Sequence, residues 1–251
     1  MAPISFAGLK YHGMHRNSLA LALSACLAVA ALAAVATMRA DDIAATIDRP
    51  ESPATTSPVI RPLSKDDHFV GNPNATVTFV VYNDFECPYC KLFHPTALSL
   101  VDAIGQDGGA SVVYRHFPND RRHERAQDAA VASECVAELG GSEKFFSYAE
   151  ILYANSPDSL SEESLQAAAA GLGIDPDAFT ACRVGEAAKA RVARDYQDGL
   201  ELAKNDPAFG TPYIVALSHD GRQVTISGNA SRADLIQVAR VLSLPPEAAA
   251  E

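Results

Sequence analysis

The stretch TVTFVVYNDFECPYCKLFHP, residues 76–95, decides the fold. Thr76–Tyr82 is almost wholly β-branched or aromatic and is long enough for a buried strand. Asn83–Asp84–Phe85–Glu86 breaks the run, and Cys87–Pro88–Tyr89–Cys90 follows. A helical pattern then continues through Leu92, Phe93, Leu98, Val101 and Ile104 and stops at Gly105. Pro88 suits the first helical position, which tolerates a missing N–H. Cys87 is thereby placed at a helix N-terminus, where free backbone N–H groups and the positive dipole end stabilise an anion. Because the thiolate is the reactive species, this placement draws the Cys87 pKa below the free value of about 8.5. Cys90, one turn further in, is expected to be more buried and less ionised. That pairing suits a nucleophile at Cys87 and a resolving thiol at Cys90.

Two blander readings compete with redox chemistry. A zinc site needs four ligands, and no second Cys-x-x-Cys or spaced His pair completes one, so no metal is expected. A structural bridge across two intervening residues would close a tiny loop and stabilise little. The strand-then-helix context favours the redox pair.

Outward from this core, Ser111–Phe117 reads as a second strand closed by Pro118. Helical runs follow at Ala126–Leu139, Glu143–Tyr153, Ser161–Gly171, Asp175–Val184 and Glu186–Lys204. Ser161 and Asp175 mark helix starts, and Gly140–Gly141 and Gly171 mark stops. Pro212–Leu217 and Gln223–Ser227 read as strands joined by a hairpin at His219–Arg222. Ser231 caps a last amphipathic helix through Leu235, Ile236, Val238, Ala239 and Leu242. The order implies an α/β fold, a mixed sheet covered by helices on both faces.

The first 66 residues read differently. Residues 1–17 form a short N-terminus with Lys10, His12, His15 and Arg16, expected on the cytoplasmic side. Ser18–Met38 is an uncharged run of 21 residues, which reads as a transmembrane anchor. It reads equally as a signal peptide, since Ala34–Val35–Ala36 fits a small-x-small cleavage site. A lipoprotein signal around Cys26 ranks lowest, because the apolar run continues past it. Each reading sends the remainder out of the cytoplasm, to the periplasm or outer side of the envelope. Residues 39–66, rich in Pro, Ser and Thr, are expected to be a flexible linker. The chain carries a formal net charge of −11; residues 1–40 hold three basic residues and no acid, which leaves 17 basic and 31 acidic residues, net −14. So acidic a body disfavours a nucleic-acid partner. Setting Cys26 aside, Cys87, Cys90, Cys135 and Cys182 form an even set in an exported chain.

Residues 67–73 (DHFVGNP), 80–94 (VVYNDFECPYCKLFH), 114–118 (YRHFP) and 209–214 (FGTPYI), with Gly228, closely resemble the DsbA-like proteins of thioredoxin fold. The resemblance covers about residues 67–244 and rests on the specific combination of Cys-Pro-Tyr-Cys with Gly-Thr-Pro. It implies a DsbA-like thioredoxin domain over residues 67–251 with a helical insertion at about 119–207. It implies a cis-proline at Pro212 facing the cysteine pair; from the residues alone, a trans proline opening a strand serves as well. Thr211 would then offer backbone groups to an extended substrate chain. Pro95 matches a proline that kinks the active-site helix in such proteins. The resemblance also implies a thiol–disulfide oxidoreductase without metal or organic cofactor, acting on exported cysteine-containing proteins and served by a membrane quinone-linked partner. One departure is Tyr89, where strongly oxidising members carry histidine.

Other residues carry softer expectations. Asp84, Glu86 and His94 could relay a proton near the pair, although a solvated acidic loop and a packing histidine serve as well. Cys135 and Cys182, 47 positions apart, are expected to pair; closing that loop is worth roughly 4 kcal/mol in the chain-entropy model. A regulatory role for the pair is the alternative. The run His116 to Arg125, with Arg115, Arg121 and Arg122, is a local basic patch that could receive acidic substrates or simply be a solvated turn. Residues 41–66 are too short for a separate dimerisation domain, so a monomer is expected. Disulfide donation is the favoured activity, with a reductase or isomerase and a redox-silent peptide-binding or chaperone module as its rivals.

Overall fold

The computed structural model divides the chain into two units, Met1–Thr55 and Thr56–Glu251, and describes residues 60–156 and 160–245, all in the second. The expected N-terminal segment, the anchor or signal peptide at 18–38 and most of the linker lie outside the described residues.

Five strands build one sheet: β1 (His68–Gly71), β2 (Val77–Asn83), β3 (Ala110–His116), β4 (Tyr213–Ser218) and β5 (Gln223–Ser227). Their order is β1-β3-β2-β4-β5, with β2 and β3 parallel and the other neighbours antiparallel. The parallel pair requires a crossover. Helix α1 (Pro88–Leu100) and a π-helical turn (Val101–Gly105) supply it. Between β3 and β4 stand α2 (Ala126–Asn155), α3 (Glu162–Gly171), α4 (Pro176–Val184) and α5 (Glu186–Asn205); α6 (Arg232–Ser243) closes the fold.

Strand periodicity sorts the core into two layers. Val77, Phe79 and Val81 of β2, Val112 and Tyr114 of β3, and Ile214 and Ala216 of β4 join the larger cluster. Their sequence neighbours Val80, Tyr82, Val113, Tyr213 and Val215 join the smaller one with Ile60 and Leu202. Alternate residues point to opposite faces, so a continuous apolar run such as TVTFVVY is what a strand buried on both sides needs.

Helix boundaries follow local chemistry. Ser161 accepts from the Ser164 N–H, Asp175 from the Ala178 N–H, and Ser231 and Asp234 form a reciprocal capping box. The two runs expected at 126–139 and 143–153 form one continuous element interrupted at Gly141, whose φ of 84° is open to glycine. Cys135 of α2 is bonded to Cys182 of α4, with Cα atoms 5.7 Å apart.

A buried ion cluster fastens each face. On the smaller-core face, Arg115 is fully buried and donates to Asp67 at 3.0 Å and to Asp198 of α5 at 2.7 Å. Tyr82 also donates its hydroxyl to Asp198. On the other face, Nε2 of His68 and Nε2 of His116 lie 2.8 and 2.9 Å from one carboxylate oxygen of Glu134 in α2; Arg191 of α5 donates to the second oxygen at 2.7 Å. These three acceptor and imidazole groups lie close enough to hold a metal ion, but the carboxylate is already satisfied by its three donors.

The linker ends earlier than its composition suggests. Ile60 is buried in the smaller core, the Arg61 side chain donates to Asp67 and Asp195 at 2.8 and 3.0 Å, and its N–H donates to Asp198 at 2.7 Å. One apolar residue and one cation within a Pro/Ser/Thr-rich stretch leave no periodic signal, yet they suffice to pin residues 60–64 to α5.

Burial pushes the Asp67 carboxyl up, but the hydrogen bond and charge of Arg115 outweigh it and hold the group below its ordinary range. A lowered folded pKa gives stability that is complete above the unfolded value of about 3.9 and is lost as pH falls through the folded one. Removing one partner of a buried pair costs about 3–5 kcal/mol. Asp67→Asn should therefore unfold at lower denaturant at pH 7, with a flatter stability profile than the wild type below about pH 4. Denaturant titrations at a series of pH values check this, and parallel profiles would contradict it.

Candidate active site

β2 ends at Asn83, and the Asp84–Glu86 loop delivers Cys87 as the N-cap of α1, with Pro88 in the first turn. Asp84 shapes that loop: its Oδ1 accepts from the Glu86 N–H at 2.8 Å, and its carbonyl accepts from the Cys87 N–H at 3.2 Å. β4 runs antiparallel to β2, and the register pairs Tyr82 with Tyr213. Thr211–Pro212, immediately before β4, is therefore brought beside Cys87. The Thr211–Pro212 bond is cis, and Sγ of Cys87 lies 3.3 Å from the Thr211 carbonyl oxygen.

Cys87 and Cys90 are free thiols with distinct surroundings. Cys87 has its pKa lowered to about 5: the Cys90 thiol donates to it, burial opposes, and Thr211 and the backbone N–H groups of Cys90 and Tyr89 assist. Burial pushes Cys90 well up, and donation to Cys87 adds to that. One sulfur is thus held ready as a thiolate while its neighbour keeps its proton.

A pocket of about 470 Å³ opens on Cys87, lined also by Pro88, Tyr89, Asn119, Arg122, His123, Phe209, Gly210 and Thr211. Tyr89 of the lining and Leu92, one turn further along α1, are large side chains at 61% and 59% exposure. Arg122 of the basic patch lines the pocket, whereas Arg115 is locked in the ion cluster behind the sheet.

The other flagged residues separate. Asp84 is buried beside the pair, its Oδ2 bound to the Asn119 N–H at 2.8 Å and to His123 at 2.7 Å. Glu86 faces away and accepts from the Arg125 N–H at 2.7 Å. His94 is buried on the inner face of α1, 2.6 Å from the Tyr114 hydroxyl; burial lowers its pKa to about 4. The ring is thus neutral and enclosed. Cys135 and Cys182 are joined to each other within the helical block. His123 was missed by sequence reasoning: it sits in a charged turn without a motif of its own, and only the carboxylate of Asp84, 39 positions away, marks it.

A thioredoxin-like sheet, a Cys-x-x-Cys at a helix N-terminus and a cis-proline loop facing it define a dithiol protein of thioredoxin fold with a helical insertion. A family model described as Thioredoxin matches residues 63–216, more than half of the chain, and the chain belongs to that family. Among solved structures it is similar to Pseudomonas aeruginosa DsbA2, with a TM-score of 0.58 and 24% identity, over 70% of this chain and 94% of that one. It is similar also to oxidised BdbD from Bacillus subtilis, with a TM-score of 0.60 and 20% identity, over 74% and 98%. Among curated proteins it matches Na(+)/H(+) antiporter NhaA 1 of Mycobacterium sp. (strain KMS), 34% identical over 157 residues, which is 60% of this chain. The chain spans only about a quarter of that relative's length.

The contrast between the two sulfurs gives a direct readout. Thiolate absorbance of the reduced protein should titrate with a midpoint near pH 5, and iodoacetamide at pH 6 should alkylate Cys87 while sparing Cys90. A midpoint near the free-thiol value of about 8.5 would contradict this electrostatic reading.

Proposed function

We propose that the chain is an extracytoplasmic thiol–disulfide oxidoreductase that introduces disulfides into exported proteins through Cys87 and Cys90. The observation that carries the reading is geometric: Cys87 caps α1 and lines the pocket, with the buried Cys90 one turn on and the cis Thr211–Pro212 bond beside it. A thiolate stabilised in the folded protein favours the reduced form, and a stabilised reduced form makes the disulfide a stronger oxidant. In the forward direction a substrate thiolate attacks Sγ of Cys87, the Cys87–Cys90 bond breaks, and the electron pair leaves on Cys90. The substrate's second thiol then attacks its own sulfur in the mixed disulfide, and Cys87 leaves as a thiolate.

Thr211 is positioned to guide the substrate. Its backbone lies at the start of a strand, in the same pocket as Cys87, where an extended peptide could pair with it. Tyr89 and Leu92 offer apolar contact to such a peptide. Cys135–Cys182 has a structural role, far from the pocket lining and tying α2 to α4. No helix among the described residues is long and apolar enough to cross a membrane, so anchoring or export rests on the uncharged run at 18–38. Reoxidation by a membrane quinone-linked partner, a monomeric state and the absence of a cofactor belong to the same proposal. The cation exchange named for the antiporters is not carried over, because the match spans so little of them.

A reductase or isomerase is the second reading, favoured by Tyr89: a tyrosine cannot add the cationic stabilisation that a histidine would supply between the cysteines. The test of exchange chemistry itself is common to both. With a reduced, unfolded two-cysteine protein and glutathione buffer, the wild type should accelerate disulfide formation. Cys87→Ser should remove that acceleration, and Cys90→Ser should accumulate a mixed disulfide visible on non-reducing gels. Unchanged activity in Cys87→Ser would contradict the proposal, and a wild type that accelerates nothing would leave the redox-silent binding module.

A further inference from the structure

The proton chemistry around Cys87 needs a group that faces the pocket, and the sequence-flagged His94 is enclosed against Tyr114. His123 meets that need. Its Nδ1 lies 2.7 Å from Oδ2 of Asp84, whose side chain is fully buried. The same carboxylate is held by the N–H groups of Glu86 and Asn119, so it cannot swing away. The ring of His123 lines the pocket with Cys87 and retains about a fifth of its exposure. Among the described residues Nε2 has no hydrogen-bond partner.

We propose that His123, oriented by Asp84, is the general base that deprotonates the incoming substrate thiol at Cys87. This rests on the exchange reading given under the proposed function and adds the residue that activates the substrate. The orienting carboxylate accepts the Nδ1 proton, which fixes the tautomer and leaves Nε2, on a ring that lines the pocket, as the basic nitrogen. An alkyl thiol with a pKa of about 8.5 is only a few per cent ionised at pH 7, so a base at the point of attack raises the reactive fraction.

The step balances. The substrate S–H proton passes to Nε2 of His123, the substrate sulfur bonds to Sγ of Cys87, and the Cys87–Cys90 bond breaks with its electron pair on Cys90. The leaving Cys90 sulfur takes up one proton from solvent, because burial keeps that thiol protonated. The imidazolium thus formed is paired with the Asp84 carboxylate. It also lines the pocket beside the sulfur that will leave as a thiolate in the second half of the exchange.

The charged groups around the ring come from each neighbouring segment. Asp84 belongs to the loop before α1, and Glu86 from that loop is engaged by the Arg125 N–H. Arg122 lines the pocket next to His123, and Cys87 faces both. Among the described residues, Asp84 is the one charged group within ion-pair distance of the imidazole, which makes it the positioning residue.

The test compares two thiol substrates with oxidised wild-type protein and oxidised His123→Gln at pH 7. One is a peptide with an ordinary alkyl cysteine, and the other is an aromatic thiol already ionised at that pH. His123→Gln should react about 10–30-fold more slowly with the peptide, since a thiol only a few per cent ionised can gain no more than that, and at the wild-type rate with the ionised thiol. Free imidazole, small enough for the pocket, should restore His123→Ala toward wild-type rates in a saturable manner. Equal losses with both thiols, or no loss with the peptide, would overturn the role of His123 while leaving the exchange reading intact. An inert wild type would instead overturn the exchange reading.

Discussion

The antiparallel pairing of β2 with β4 is the constraint on which the site depends. β2 must end where α1 begins, β4 must begin where the cis-proline loop ends, and the Tyr82–Tyr213 register brings those two points together. Helix N-termini are common, and so are exposed cysteines. What distinguishes Cys87 is that a helix N-terminus, a neighbouring thiol donor and the Thr211 loop converge on one sulfur. A one-residue slip of β4 would turn every side chain on it to the other face and break that convergence.

The buried clusters secure the pairing from both sides. Arg115 and His116 are adjacent on β3 and point to opposite faces, and each meets a carboxylate from the helical insertion: Asp198 of α5 and Glu134 of α2. Such pairs cost desolvation when they form, so their value lies in position as much as in stability. Each of them ties an insertion helix to the strand next to β2. The insertion also brings the turn carrying Asn119, Arg122 and His123 over the cysteine pair, so it completes the pocket rather than merely decorating the sheet.

The sequence is most readable where the signal is local. The apolar run of β2, the Cys-Pro-Tyr-Cys after it, and the Ser161, Asp175 and Ser231 caps are contiguous patterns with a single physical reading. β1 is only four residues, HFVG, and is too short to show a period. The anchoring of Ile60 and Arg61 depends on partners more than 130 positions away, which no window along the chain can see. Gly140–Gly141 correctly marks an interruption, yet α2 resumes beyond it because Phe145, Tyr148 and Leu152 bury a continuous face. At the site, Cys87 and Cys90 announce themselves, whereas the Asp84–His123 contact joins two loops and is legible only in three dimensions.

The reduction potential of the Cys87–Cys90 pair measures directly how far the Cys87 thiolate stabilises the reduced protein. Residues 41–251 would be equilibrated with glutathione buffers and the fraction of disulfide read at each ratio. A potential above about −180 mV is the expected result and would place the pair among disulfide donors. A potential near about −270 mV would contradict the donor assignment and make this chain a reductant.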